Sequence, residues 1–264
     1  APIAVLAADP TLRGHGEVSL ALGHGGAAVA SVRPASEKLL PGDFEVCAQL
    51  VARGFAGAAL WPPGATDAFV VGDARPVTEG ADGEALVLAV EGFAQAHHGL
   101  NRALSGAVLG HAAPRGRRVL ELYAGAGNFT VALAREAASV VAVESDRRAA
   151  AALVDNVRAR GLVNVSVRAE AAERCVDARV EVVVLDPPRT GAREVCEALA
   201  ATARAKTVVY VSCDAATLGR DLTTLSAAYE VRAMEAFEMF PHAGHVEVVT
   251  ALSRVGAPRG TRAV

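Results

Sequence analysis

From Arg118 onward, short runs of β-branched apolar residues alternate with longer segments whose apolar positions recur every three or four residues. RVLELY, SVVAVE, VSVRAE, VEVVVLD and TVVYVSC are the short runs; NFTVALAREA, DRRAAAALVDNVRARG, AREVCEALAATARA and DAATLGRDLTTLSAAY are the longer segments. The first pattern predicts strands and the second predicts helices. Strands that read as continuous apolar runs are buried on both faces, so the alternation predicts a parallel sheet covered by helices on either side, an α/β architecture. The pattern changes near the end. YEVRAMEAFEMF and HVEVVTALSRV flank the short segment PHAG and predict an antiparallel hairpin at a sheet edge, and the tail GAPRGTRAV reads as a frayed end.

Before Arg118 the pattern is different. EVSLAL, AAVASV and ALVLAV read as strands, separated by the turn signals RPAS, LPGD and WPPGAT, and DFEVCAQLVARG has helical spacing. A small α+β domain over residues 1–92 follows. Phe93–Ala113 predicts a helix leading into the second half, with APRGRR as a linker turn, so residues 93–117 form a connecting helix and linker and residues 118–264 the α/β domain.

Composition narrows the class. The chain has 264 residues, 52% hydrophobic and 21% charged, which fits a globular protein with a sizeable core. No apolar run approaches the roughly 18–20 residues of a membrane-spanning helix, and the start lacks the basic and apolar regions of a secretory signal. The chain opens on Ala1, which leaves room for upstream sequence. Cys47, Cys175, Cys196 and Cys213 are widely spaced, a pattern that fits neither zinc nor an iron–sulfur cluster. Reduced thiols and a cytoplasmic location are the simplest reading. The net charge of −3 announces no nucleic-acid partner, so any such partner needs a local basic face.

In open α/β sheets, ligands bind beyond the carboxyl ends of the strands. The first strand ends in ELYAGAGNFT, where Gly125 and Gly127 allow a tight turn and close backbone approach. The second ends at Glu144, nineteen residues after Gly125, where a carboxylate grips a ribose diol; a helix-start acid is the competing reading. The loop lacks a third glycine at Thr130 and lacks a phosphate-binding lysine. A ribose-bearing cofactor without phosphates fits, and S-adenosylmethionine is one. The fourth strand ends in LDPPRTG, where two prolines stiffen the exit after Asp186. The fifth ends at Cys213, on the same edge as Glu121, Glu144 and Asp186. A lone cysteine is usually a small core residue, but one just before a helix has its pKa lowered and is placed as a nucleophile.

LELYAGAGNFT, VVLDPPRTG, VYVSCDAATLGRDL and MFPHAGHVEVV, with FAQAHHGLN ahead of them, resemble the motifs of the S-adenosylmethionine-dependent RNA uracil-5-methyltransferases in order and interval. The resemblance covers about Phe93–Arg254. It implies a Rossmann-like class I methyltransferase fold and formation of 5-methyluridine in RNA, with ribosomal RNA favoured over transfer RNA. It assigns Cys213 as the nucleophile that attacks C6 of the target uracil and Glu247 as the base that removes the C5 proton. Gln95, Tyr123, Asn128, Glu144 and Asp186 match positions lining the cofactor pocket, and Asp186 doubles as a contact to the uracil edge.

Three features depart from the family pattern. Asp214-Ala215 follows the cysteine where the family has Asn-Pro, and a charge at Asp214 is expected to raise the thiol pKa unless the residue caps the helix. Ala171 stands at an adenine-pocket position usually held by Asn or Asp, with Glu170 or Glu173 as substitutes. The N-terminal RNA-binding β-barrel and iron–sulfur cysteine cluster that some members of the family carry do not appear in this sequence, which is read either as one from which the barrel has been trimmed or as a compact member. The reading therefore keeps two alternatives: methylation of cytosine C5 or another base through the same thiol, and an inactive S-adenosylmethionine- or RNA-binding module. Phe129, Phe240 and Tyr123 are the candidate stacking residues. Arg115, Arg117, Arg118, Arg254, Arg259 and Arg262 are either phosphate contacts or a solvated linker and tail. No membrane partner is expected, and the oligomeric state stays open.

Overall fold

The computed structural model describes residues 16–95, 97–176, 179–202, 204–239 and 246–256. Phe240, the PHAG segment, Arg259 and Arg262 lie outside the described residues. The chain divides into two compact units, one reaching to Glu79 and including Ala85–Ala94, the other formed by Gly80–Glu84 and the chain from Gln95 onward.

In the first unit, strands β1 (Glu17–Leu22), β2 (Ala28–Arg33), β3 (Gly57–Leu60) and β4 (Phe69–Gly72) form a sheet in the order β1-β2-β3-β4. Only the β2–β3 pair is parallel. Helix α1 (Pro41–Ala52) begins with proline at its first turn, and Asp43 accepts the Leu40 N–H at 2.7 Å. Its Val46, Cys47 and Leu50 pack on Ala30, Val32, Ala58 and Leu60. β5 (Val77–Glu79) pairs with β6 (Ala85–Val87) as a separate ribbon, so only the first half of ALVLAV is strand. The segments GAAL, FVVG and VTE of β3, β4 and β5 are only three or four residues long, too short for a period to mark them as strands in the sequence.

The second unit holds a seven-stranded sheet. Its strands are β7 (Arg118–Leu122), β8 (Ser139–Val143), β9 (Val165–Arg168), β10 (Val182–Leu185), β11 (Thr207–Ser212), β12 (Tyr229–Phe237) and β13 (Glu247–Arg254). The order is β12-β13-β11-β10-β7-β8-β9. The five strands from β11 to β9 pair in parallel. β13 runs antiparallel between β11 and β12, so the C-terminal hairpin is present with its second strand turned inward. The predicted fold class is the observed one.

Helices α2 (His98–Ala112), α3 (Thr130–Leu133), α4 (Arg147–Ala159), α5 (Arg193–Thr202) and α6 (Ala215–Leu225) complete the unit. Strand alternation sends successive side chains to opposite faces. Val119, Val182, Val184, Val209, Val211 and Val249 share one core with Leu104, Val108 and Ala112 of α2 and with Leu153 and Val157 of α4. Leu120, Leu122, Val183, Leu185, Val208 and Tyr210 share the other with Val195 and Leu199 of α5 and with Leu218 and Leu225 of α6. Helix α2 is thus a layer of this unit rather than a free connector. It starts five residues after Phe93, where His97 Nδ1 accepts the Leu100 N–H at 3.2 Å.

Candidate active site

The same alternation gathers the chemistry. Glu121 shares the parity of Val119, Glu144 that of Val140 and Ala142, and Asp186 that of Val182 and Val184. Cys213 continues the parity of Val209 and Val211, and Glu247 that of Val249. All five fall at the carboxyl edge of the parallel strands, on the side covered by α2 and α4. The crossing between β7 and β10, where strand order reverses, is the topological switch point at which such sheets bind ligands.

The loop after β7 is built as a cradle. Tyr123 takes φ +62°, a left-handed conformation that costs a non-glycine residue on the order of 1 kcal/mol or more. Gly125 (φ +56°) has open space where a Cβ would stand, and its N–H donates to Glu144 Oε2 at 2.8 Å. Glu144 Oε1 accepts the Asp146 N–H at 2.7 Å. Oε1 also accepts the Ser145 hydroxyl at 3.4 Å, so it is Oε2 that keeps a further lone pair for a hydroxyl donor. Glu144 is not the helix cap: Asp146 caps α4, accepting from the N–H groups of Arg148 and Ala149.

Two residues of this loop serve packing more than ligand approach. A Cβ on Gly127 (φ +96°) would stand 2.3 Å from Leu153 Cδ1, so that glycine lets the loop lie on α4. The Asn128 carboxamide is committed to Asn101 in a reciprocal pair of 2.7 and 3.0 Å, and its oxygen also accepts the Ala81 N–H at 3.1 Å. One N–H of Asn128 is left for any other partner. Gln95 Oε1, by contrast, is buried with no hydrogen-bond donor. Ala171 opens a single 3-10 turn, and Glu170 accepts from the Cys175 thiol at 3.6 Å, which engages the candidate substitute locally.

Cys213 is half-buried, whereas the other three cysteines are buried. β11 and β13 pair with Ser212 opposite Val248, so one step further places Cys213 opposite Glu247. Asp186 and Arg189, on the loop after β10, act electrostatically on the same thiol. Burial raises the Cys213 thiol pKa, Glu247 and Asp186 raise it further, and Arg189 pulls it down. The net direction is up, which corrects the expectation that the helix start would favour the thiolate. Asp214 is not the cause. It caps α6 by accepting the Thr217 N–H at 2.8 Å. Burial also raises Glu247, with Arg189 opposing. Asp186 is pushed up to about 8 by burial and then by Glu247.

Sequence reasoning did not assign Glu121 or Arg189 a role. Glu121 is 2% exposed, and its Oε2 has no hydrogen-bond partner. Burial pushes its pKa up to about 8, with Asp186 and Glu144 adding and Thr130 opposing. The signal was a carboxylate inside an otherwise apolar run. Arg189 carried none, because its effect on Cys213 and Glu247 depends on the fold.

The donor set suits S-adenosylmethionine. Three carboxylates crowd the cradle edge, Glu121 and Gln95 present orphaned acceptors, and a cationic ligand with ribose hydroxyls answers both needs. Among the described residues no cluster of His, Cys, Asp and Glu could hold a metal ion, and no helix is long and apolar enough to cross a membrane. The proposed RNA-contacting residues fare unevenly. Phe129 is 4% exposed and belongs to the core, so it is no stacking platform. Arg115 and Arg118 lie 3.6 and 3.9 Å from Glu136 and Glu181.

Residues 107–235 match the family described as Conserved hypothetical protein 95. The chain is 40% identical over 172 residues to the 23S rRNA (uracil(1939)-C(5))-methyltransferase RlmD of Chromohalobacter salexigens, covering 64% of this chain and 36% of that protein. It is 41% identical over 147 residues to an uncharacterized RNA methyltransferase of Bifidobacterium longum, covering 52% and 34%. The chain therefore spans little more than a third of the length of the curated relatives it matches. In fold it resembles the Pyrococcus abyssi tRNA (uracil-54, C5)-methyltransferase in complex with S-adenosyl-L-homocysteine, at TM-score 0.69 and 22% identity over 88% of this chain and 58% of that one. Trm5b from the same organism follows at TM-score 0.58 and 14% identity, over 93% and 81%. The second unit is accordingly a class I methyltransferase fold, related in sequence to the RNA uracil-C5-methyltransferases.

Proposed function

We propose that this chain transfers a methyl group from S-adenosylmethionine to C5 of a uridine in RNA, with ribosomal RNA as the favoured substrate. The observation that carries the reading is the meeting of Cys213, Glu247 and Asp186 at the edge that also bears the Gly125–Glu144 cradle. Similarity to proteins named as RNA uracil-C5-methyltransferases supports it.

C5 of uracil is a weak nucleophile until C6 is attacked. Cys213 Sγ, once deprotonated, forms a bond to C6, and the C5–C6 electron pair becomes available at C5. Bound S-adenosylmethionine supplies the electrophilic methyl group that C5 takes up. Glu247, whose raised pKa makes it a stronger proton acceptor than an exposed glutamate, removes the C5 proton. The C5–C6 double bond re-forms and the S–C6 bond breaks, returning the thiolate. Asp186, held protonated at neutral pH, is suited to donate a hydrogen bond to a uracil carbonyl. Glu144 and Gly125 hold the ribose side of the cofactor, with Gln95 and Tyr123 beside them. A target base inside folded RNA has to leave its stack to reach Cys213.

The test is methyl transfer from labelled S-adenosylmethionine to unmodified ribosomal and transfer RNA, assayed separately and followed by nucleoside digestion. Label in 5-methyluridine, lost in Cys213→Ala, is the expected outcome. Label that persists in Cys213→Ala overturns the covalent mechanism. Label in 5-methylcytidine overturns the assigned base. Bound S-adenosylmethionine with no label in either RNA pool overturns the assigned activity of this chain.

A further inference from the structure

Asp221 of α6 is fully buried, yet it is surrounded by donors. Its Oδ2 accepts from the Tyr210 hydroxyl at 2.7 Å and from the Ala192 N–H at 2.7 Å, and its Oδ1 accepts from Arg220 Nε at 2.8 Å. The same helix grips the loop after β10 twice more. The Thr217 hydroxyl lies 3.1 Å from the Arg189 carbonyl, sharing its one proton with Asp214 Oδ1 at 3.0 Å, and Arg220 Nη2 donates to the Thr190 carbonyl at 3.0 Å. Gly191 closes the contact. Its φ is +75°, and a Cβ there would stand 2.5 Å from Arg220 Nη2 and 2.6 Å from Asp221 Oδ2.

A buried carboxylate is a poor way to stabilise a core, because desolvation offsets most of what pairing contributes. What it adds here is geometry. Asp221 ties three pieces together at one atom pair: β11 through Tyr210, the loop after β10 through Ala192, and α6 itself. Cys213 lies between β11 and α6. Asp186 and Arg189 lie on the loop. We propose that Asp221 is a positioning residue whose network, with Tyr210, Arg220 and Gly191, sets Asp186 and Arg189 against Cys213. The inference deepens the proposed role of Cys213 and rests on that reading for its functional meaning.

The side chains acting on Cys213 are Glu247 from β13 and Asp186 and Arg189 from the loop; of these Arg189 favours the thiolate, beside a smaller contribution from a backbone hydrogen bond at Cys213 itself. Freeing the loop withdraws Arg189. The experiment is alkylation of the full chain by iodoacetamide across pH, with Cys213 resolved by peptide mass mapping. Asp221→Asn is expected to move the alkylation midpoint upward and to slow the reaction several-fold at pH 8, as Arg189→Gln does. The double variant is expected to be no slower than Arg189→Gln alone, since both changes remove one influence. An unchanged midpoint in folded Asp221→Asn, or a full additional shift in the double variant, overturns the proposal. If circular dichroism shows Asp221→Asn unfolded, Tyr210→Phe keeps the ring and removes one donor. A smaller upward shift is then expected, and no shift in the folded variant overturns the proposal. Methyl transfer is not measured, so failure of the proposed activity and failure of the positioning role are told apart.

Discussion

Glu121 offers the sharpest test of the site's electrostatics. Its carboxyl is 2% exposed on β7, with one oxygen unpartnered, and burial among Asp186 and Glu144 pushes its pKa up to about 8. The folded protein therefore holds a proton that the unfolded chain releases above pH ~4.3. Stability from this group is fully present below that value and declines as pH rises, until the folded carboxyl itself ionises near 8. At ~1.4 kcal/mol per pH unit the whole span corresponds to ~5 kcal/mol, with about 3 kcal/mol lost between pH 5 and pH 7.5. That is a large share of a domain's usual 5–15 kcal/mol or so. Glu121→Gln keeps the shape and has no proton to lose. Urea unfolding of both proteins at pH 5 and 7.5, followed by far-UV circular dichroism, is expected to show the variant's advantage growing by about 3 kcal/mol. Trp61, the single tryptophan, lies in the first unit and reports it separately by fluorescence. Asp186, also near 8, titrates in both proteins, so its contribution largely cancels in the difference. Parallel pH dependence of the two proteins would mean that Glu121 is already ionised when folded, and the argument from its burial would fail.

Gly191→Ala is expected to destabilise by about 1–3 kcal/mol in thermal unfolding, because φ +75° and the clash with Arg220 and Asp221 act together, whereas Gly219→Ala, on an open face of α6, should stabilise by about 0.5–1 kcal/mol. Gly125→Ala places a methyl group in open space and should weaken S-adenosylmethionine binding in calorimetry more than it lowers the melting temperature. Gly127→Ala, which meets Leu153, should do the reverse. Binding of cationic S-adenosylmethionine at pH 7.5 should release a proton from Glu121, seen as a binding enthalpy that changes with the buffer's ionisation enthalpy; a buffer-independent enthalpy would count against the carboxylate cradle.

The pattern of the chain was enough to place all seven strands of the second unit: the parallel strands stand out as short apolar runs between helices, and the antiparallel β12 and β13 as two strand-like segments flanking a short turn. The strand ends then located Glu144, Asp186 and Cys213 at one edge, since ligand chemistry in such sheets sits where strands stop. β3, β4 and β5 escaped notice because a pattern of three or four residues carries little period. Distance in sequence hid the rest. Glu247 faces Cys213 only because β13 folds back between β11 and β12, a register no local pattern records. The helix start alone points the thiol's pKa in the wrong direction, because burial and Glu247 outweigh Arg189 once the edge is assembled. Asn128 and Gly127 look like ligand residues in a motif, but α2 and α4 close on them and draw them into packing. The sequence by itself determined the layers and the strand ends, which depend on the nearest neighbours along the chain. The tertiary structure decided which charges meet, because electrostatic energies depend on separation and burial in space, and donors such as Tyr210 and Ala192 meet on one acceptor, Asp221 Oδ2, only after folding.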